Sequence, residues 1–205
     1  MGMYAERLLP RIVNLACGRS EFAPLRRRAC AGLAGDVVEI GFGAGHNVPF
    51  YPAEVARVWA VEPAAKAWQL AAERVRASTV PVELAAPDGQ QLPFAEDCFD
   101  AALSFFTLCT IPDPGAALAE LHRVLKPGGT LHFVEHGLAP DESVRRWQRR
   151  LEPVQKIVMG GCHFTRPTVE LIGDAGFVVT ELDVFYQPNA PKFDAALSVG
   201  VARVS

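Results

Sequence analysis

The chain has 205 residues, half of them hydrophobic and 21% charged, with a formal net charge of −3. This size and composition suit one globular domain with a full core, argue against disorder, and give no general attraction to nucleic acid or anionic membrane. No apolar run reaches the roughly 18 residues needed to cross a bilayer, and the five cysteines (Cys17, Cys30, Cys98, Cys109, Cys162) contain no CxxC, which argues against a disulfide framework or a zinc site and favours a reducing cytoplasm.

In chain order, residues 1–20 read as an amphipathic helix interrupted at Pro10, not as a signal peptide, because Glu6, Arg7 and Arg11 punctuate the apolar part. Residues 1–34 are expected to form a helical cap on a single domain spanning 1–205. Asp36–Ile40 and Arg57–Val61 are short apolar runs and predict buried strands. Ala64–Ala77 has no internal glycine or proline and predicts a helix. Val80–Leu84 and Phe99–Phe105 predict two more strands. Asp113 and Pro114 read as an N-cap and a first-turn proline, opening a helix that ends before Pro127. Thr130–Glu135 predicts a fifth strand. Residues 141–159 then read as a long polar helix, and Thr165 and Pro167 open a shorter one ending near Gly176. The span 141–175 is expected to be a helical insertion on the substrate side. Phe177–Phe185 and Ala195–Val204 predict a terminal antiparallel strand pair. Alternating strands and helices imply an α/β fold with a mostly parallel sheet.

The stretch VVEIGFGAGHN, residues 37–47, follows the first strand and is expected to precede a helix. Alternate glycines allow a tight turn and close approach of a ligand to the backbone. A dinucleotide fingerprint wants a small residue at position 46, which is His46, and the Gly-Lys-Ser/Thr of a P-loop is absent. The pattern acid-x-Gly-x-Gly-x-Gly suits a ligand without pyrophosphate, such as adenosylmethionine. Glu62 ends the second strand, where a carboxylate can accept hydrogen bonds from both hydroxyls of a ribose. Asp88 and Gly89 follow the third strand, where they can meet the amino group and a ring nitrogen of an adenine. All three stand at carboxyl ends of strands, where open α/β sheets bind ligands.

The segments EIGFGAG, VEP, PDGQQLPF, CFDAALSFFTLCTI and RVLKPGGTLHFVEH stand in the order found in class I S-adenosylmethionine-dependent methyltransferases, and from about Val37 onward the chain resembles that family. LCTI (108–111), FVEHG (133–137), Trp147 with Gln148, and GGCHFTR (160–166) resemble a narrower group, the bacterial relatives of animal microsomal alkyl-thiol methyltransferases. The resemblance implies a Rossmann-like three-layer sandwich, a seven-stranded sheet with an antiparallel last strand, and adenosylmethionine as methyl donor. It further implies that Glu39, Gly41, Phe42, Gly43 and Gly45 face the donor's methionine part. Glu62 and Pro63 would lie at the ribose, Asp88 and Gly89 at the adenine, and Ser104 and Phe105 on the floor near the sulfonium. Phe42 departs from the small residue or cysteine of many members. The animal relatives carry an N-terminal membrane anchor that is not expected here.

His136 follows the fifth strand and is the candidate catalytic base; a histidine bonded to loop backbone is the alternative. In GGCHFTR, Cys162 and His163 either belong to a mobile cover over the substrate or, for Cys162, to a small buried packing position. Tyr4, Phe50, Tyr51 and Trp147 could wall an apolar acceptor pocket, whereas Trp59, Trp68 and Cys109 read as core. Arg145, Arg146, Arg149 and Arg150, and likewise Arg26–Arg28, read as solvated helix faces laced by ion pairs; the first stripe could instead meet phosphate. The expected function is methylation of a small molecule, a thiol or other apolar nucleophile by resemblance. A lipid-headgroup or quinone enzyme and an adenosylmethionine-binding protein without transferase activity are the alternatives. The expected partners are a small acceptor and no nucleic acid; a monomer or weak homodimer and no metal are expected.

Overall fold

A computed structural model describes residues 8–205. A seven-stranded sheet forms the middle layer, in the order β3-β2-β1-β4-β5-β7-β6. Its strands are β1 (Gly35–Ile40), β2 (Val55–Val61), β3 (Val82–Ala86), β4 (Phe99–Phe105), β5 (Leu125–His136), β6 (Phe177–Tyr186) and β7 (Ala196–Val204). The first five strands in sequence pair in parallel, while β7 runs antiparallel to both β5 and β6. Strand order reverses between β1 and β4, which opens a crevice beyond their carboxyl ends.

Helices α1 (Leu9–Cys17), α2 (Ala23–Cys30), α3 (Ala65–Ala77), α4 (Pro114–Val124), α5 (Glu142–Val158), α6 (Thr168–Asp174) and α7 (Lys192–Ala195) surround the sheet. One face carries a core with Leu25, Ala29, Val37, Ala71, Leu103 and Val134; the other carries Val38, Ile40, Leu118, Leu121, Phe133 and Ile172. Burial on both faces explains why β1 and β4 are mostly apolar, with adjacent apolar pairs such as Val37–Val38 and Ala101–Ala102, and why the polar groups inside them, Glu39 and Ser104, are buried with partners. Each fully buried Leu or Phe among them contributes roughly 1.5–3 kcal/mol. Asp113 caps α4 by accepting from the Ala116 amide at 2.9 Å, with Pro114 in the first turn.

Pro10 lies in the first turn of α1, where a missing N–H is tolerated; the part of the expected N-terminal helix before Leu8 lies outside the described residues. Two expectations are corrected. No α-helix follows the glycine turn; a single 3₁₀ turn, Val48–Phe50, leads through Pro52 into β2. Tyr51 takes φ −63°, ψ 128°, the extended geometry imposed by a following proline. The third strand starts at Val82, after Pro81, and not at Val80. No helix among the described residues is long and apolar enough to cross a membrane.

Candidate active site

The glycine turn leaves β1 at the point where strand order reverses. Gly41 and Gly43 both have positive φ, 65° and 59°. A Cβ on Gly41 would lie 2.0 Å from Thr107 Oγ1, so packing excludes any side chain there. A Cβ on Gly43 would meet nothing closer than the Gly41 carbonyl at 3.8 Å. The middle of the turn therefore faces open space, the cradle that a closely approaching ligand requires.

Glu62 closes this cradle. One carboxylate oxygen accepts the Gly43 amide at 2.7 Å and the other the Ala64 amide at 2.7 Å. Burial raises its pKa, opposed by those two amides. Each oxygen retains acceptor capacity for a further donor, as a diol-binding carboxylate needs. Pro63 beside it is exposed. Beyond β3, Asp88 is exposed and uses Oδ1 to accept from the Gln90 amide and side chain, which holds its carboxyl below the usual value. Gly89 follows, close to Ile40 and Ile111. Glu62 and Asp88 thus follow the carboxyl ends of the adjacent parallel strands β2 and β3, and the open position at Gly43 beside the Glu62 carboxylate fits adenosylmethionine.

Glu39 lies deeper than expected. It is buried, and its oxygens accept from Asn47 Nδ2 at 2.9 Å and from the Tyr51 hydroxyl. Burial pushes its pKa up to about 7, partly offset by Tyr51, Asn47 and Arg26. Arg26 is also buried; it donates to Asn47 Oδ1 and to the Cys17 carbonyl, and lies 4.2 Å from the Phe105 ring centroid. This corrects the reading of Arg26 as part of a solvated face. Arg28, by contrast, pairs at the surface with Asp183 at 2.7 Å. The turn residue His46 meets the Asn14 carbonyl of α1 at 3.1 Å, and burial, Arg74 and Arg26 lower its pKa to about 4.

The second half of the site is organised by Glu135. This buried carboxylate accepts from Ser104 Oγ at 2.6 Å and from the amides of Thr107, Leu108 and Cys109 at 3.0–3.1 Å. It fixes the turn that follows β4. Arg166 Nη1 donates to the carbonyls of Leu108 and Ile111 and holds that turn from outside. His136 stacks on Phe106, with centroids 4.5 Å apart and planes 20° from parallel. Its Nε2 lies 4.0 Å from Asp194. Burial opposes its protonation, but the Cys109 contact and the Cys109, Asp194 and Glu135 charges outweigh this and raise its pKa.

Several expected lining groups are placed elsewhere. The Phe42 side chain is buried against Trp68, with centroids 5.5 Å apart, and packs in the core. Tyr51 is buried, with its hydroxyl donated to Glu39. The Ser104 hydroxyl is committed to Glu135, and Phe105 lies under Arg26. Trp147 is 56% exposed beside Arg150 on the outer face of α5. His163 turns to Glu152 at 3.5 Å, while Cys162 turns inward. Tyr4 lies outside the described residues. The Arg stripe of α5 is tied to Glu142 through Arg149 at 2.7 Å and Arg145 at 4.0 Å.

A family model described as "Methyltransferase domain" matches residues 38–133. The chain is 33% identical over 161 residues to Thiol S-methyltransferase TMT1B of Rattus norvegicus, covering 77% of this chain and 65% of that protein. It is 31% identical over 180 residues to the Homo sapiens protein of the same name, covering 81% and 69%. The chain thus spans about two thirds of the length of these relatives. A phosphatidylethanolamine N-methyltransferase of Cereibacter sphaeroides is 31% identical over 129 residues, covering 61% and 63%. Among solved structures, an S-adenosylmethionine-dependent methyltransferase of Mesorhizobium loti superposes with a TM-score of 0.66 over 90% of this chain and 98% of that one, at 18% identity, a likeness of fold.

Proposed function

The chain belongs to the class I S-adenosylmethionine-dependent methyltransferases, and from that premise we propose that it methylates a small thiol. The observation that carries the donor half is the open Gly43 cradle closed by Glu62. The thiol half is supported by the similarity to two thiol S-methyltransferases.

When bound, adenosylmethionine supplies an electrophilic sulfonium methyl group. In this proposal the Glu62 carboxylate binds the ribose hydroxyls, Asp88 and Gly89 bind the adenine edge, and the 41–45 turn receives the methionine part. The Glu135-fixed turn, 104–109, forms the floor on the acceptor side. Positioning of this kind supplies up to about 7–11 kcal/mol in favourable reactions. A thiol needs little help to ionise, and His136 is the group assigned to receive its proton, held in place by Phe106 and Asp194.

An acceptor screen with labelled adenosylmethionine tests the reading, with small alkyl thiols, phenols, amines, a quinol and phosphatidylethanolamine vesicles run side by side. Labelled thioether and adenosylhomocysteine in equal amounts support it. Transfer to the lipid or quinol but not to any thiol overturns the acceptor. No calorimetric binding of adenosylmethionine or adenosylhomocysteine at millimolar concentration overturns the whole reading.

A further inference from the structure

Three soft donors converge beside the acceptor floor. Cys109 lies just after β4, His136 ends β5, and Cys162 lies in the loop after α5. Their ligand atoms all fall within 4.8 Å of one another. The two sulfurs are 3.7 Å apart, and each is 3.8 Å from His136 Nδ1.

These spacings are those of a metal's coordination shell. Zinc holds thiolate sulfur at about 2.3 Å and imidazole nitrogen at about 2.0–2.1 Å. Tetrahedral angles then put sulfur and sulfur about 3.8 Å apart, and sulfur and nitrogen about 3.6 Å apart. The observed triangle matches to a few tenths of an ångström. A disulfide would need the sulfurs at about 2.05 Å, which requires them to close by more than 1.5 Å.

The donors are also held as ligands are held. The Asp194 carboxylate stands on the Nε2 side of His136 at 4.0 Å, beyond hydrogen-bond distance, so its negative charge faces one ring nitrogen while Nδ1 points toward the sulfurs. Phe106 stacks on the ring and Phe164 meets it edge-on. The Cys109 amide is bound by Glu135, and its carbonyl accepts the His163 amide at 2.8 Å, which joins the loop carrying Cys162 to the turn carrying Cys109. Both cysteines are buried and unbridged.

We propose that Cys109, His136 and Cys162 bind one thiophilic divalent cation of the zinc type. Two thiols bind as thiolates, and two protons leave for solvent as the cation enters. The cation's two positive charges are then balanced by two thiolates, so the buried centre is neutral. Three protein ligands leave a fourth position for a donor from outside the chain. With the cation bound, His136 is a ligand and not a proton acceptor. An acceptor thiol reaching the fourth position would give its proton to water and be held as thiolate; this last step rests on the thiol reading above.

The test is a titration of the reduced, metal-free full chain with cobalt(II) under anaerobic conditions, without acceptor or donor. Tetrahedral visible bands with thiolate-to-cobalt charge transfer, saturating at one equivalent, abolished by one equivalent of zinc and accompanied by release of two protons, are expected. Cys162→Ser and Cys109→Ser should each remove the charge-transfer signal of one sulfur, and the double variant all of it, while Cys98→Ser leaves the spectrum unchanged. Should the Cys109 variants fail to fold, Cys162→Ser and His136→Asn carry the same test. Absence of the tetrahedral bands in the reduced chain, or bands that survive loss of Cys162 and His136, overturns the centre. That result leaves the thiol reading standing, and failure of every thiol in the acceptor screen leaves the cation centre standing.

Discussion

Glu62 accepts the Gly43 amide at 2.7 Å, so the carboxylate assigned to the ribose also fixes the shape of the glycine turn. Removing it has two effects at once. Glu62→Ala should weaken adenosylhomocysteine binding by about 10- to 100-fold, the worth of a charged hydrogen-bond partner of 1.5–3 kcal/mol. Calorimetric titration measures this, and an unchanged affinity would remove Glu62 from the donor site.

Gly41 and Gly43 should respond in opposite ways to the same substitution. Gly41→Ala meets Thr107 and should destabilise the fold by at least about 2 kcal/mol in urea unfolding, from backbone strain plus overpacking. Gly43→Ala enters open space, so its cost should be limited to the 1–2 kcal/mol of a left-handed residue, while donor affinity falls more than tenfold. Equal effects of both variants on stability and on binding would contradict the cradle.

Glu39 predicts a pH dependence of stability. Its carboxyl is raised in the folded protein from 4.5 to about 7 by burial, so the folded state holds the proton more tightly than the unfolded state. Stability from this group is fully present below about pH 4.5 and is lost as pH rises through 7. The ceiling is about 3 kcal/mol. Glu39→Gln should flatten that part of the curve in denaturant titrations between pH 5 and 8. A wild-type fall equal to the variant's would assign it to other groups.

Glu135 gathers four donors around one buried carboxylate. Glu135→Ala leaves Ser104 and three amides without their acceptor and should cost at least about 3 kcal/mol. Glu135→Gln keeps one acceptor oxygen and should cost less. A melting temperature unchanged in both variants would mean that the turn after β4 is held mainly by Arg166.

Much of the sheet was legible because its central strands are buried on both faces. Runs such as Asp36–Ile40 and Phe99–Phe105 carry their identity in short, mostly apolar stretches, and the antiparallel pair at the end followed from two β-rich runs joined by a proline-containing connection. Glu62 and Asp88 could be located just beyond the second and third strands because strand ends are local features. Depth is not local. Nothing in the spacing of Glu39 and Tyr51 says that both face inward and hydrogen-bond to each other, or that Arg26 alone of three neighbouring arginines is buried. The Cys109–His136–Cys162 triangle was invisible for the same reason: 53 residues separate its cysteines, and no short motif signals that two strand ends and a loop will meet.

The packing of Phe42 on Trp68 gives the protein a built-in optical reporter. Phe42 stands between Gly41 and Gly43, so any shift of that backbone on ligand entry moves its ring against the indole, to which it is tilted by 51°. Trp147 is largely in water and its emission is removed by an aqueous quencher, whereas Trp68 on α3 and Trp59 on β2 are both half-buried. In a Trp59→Phe variant, occupancy of the crevice can therefore be followed without a label, in real time, from the fluorescence of Trp68.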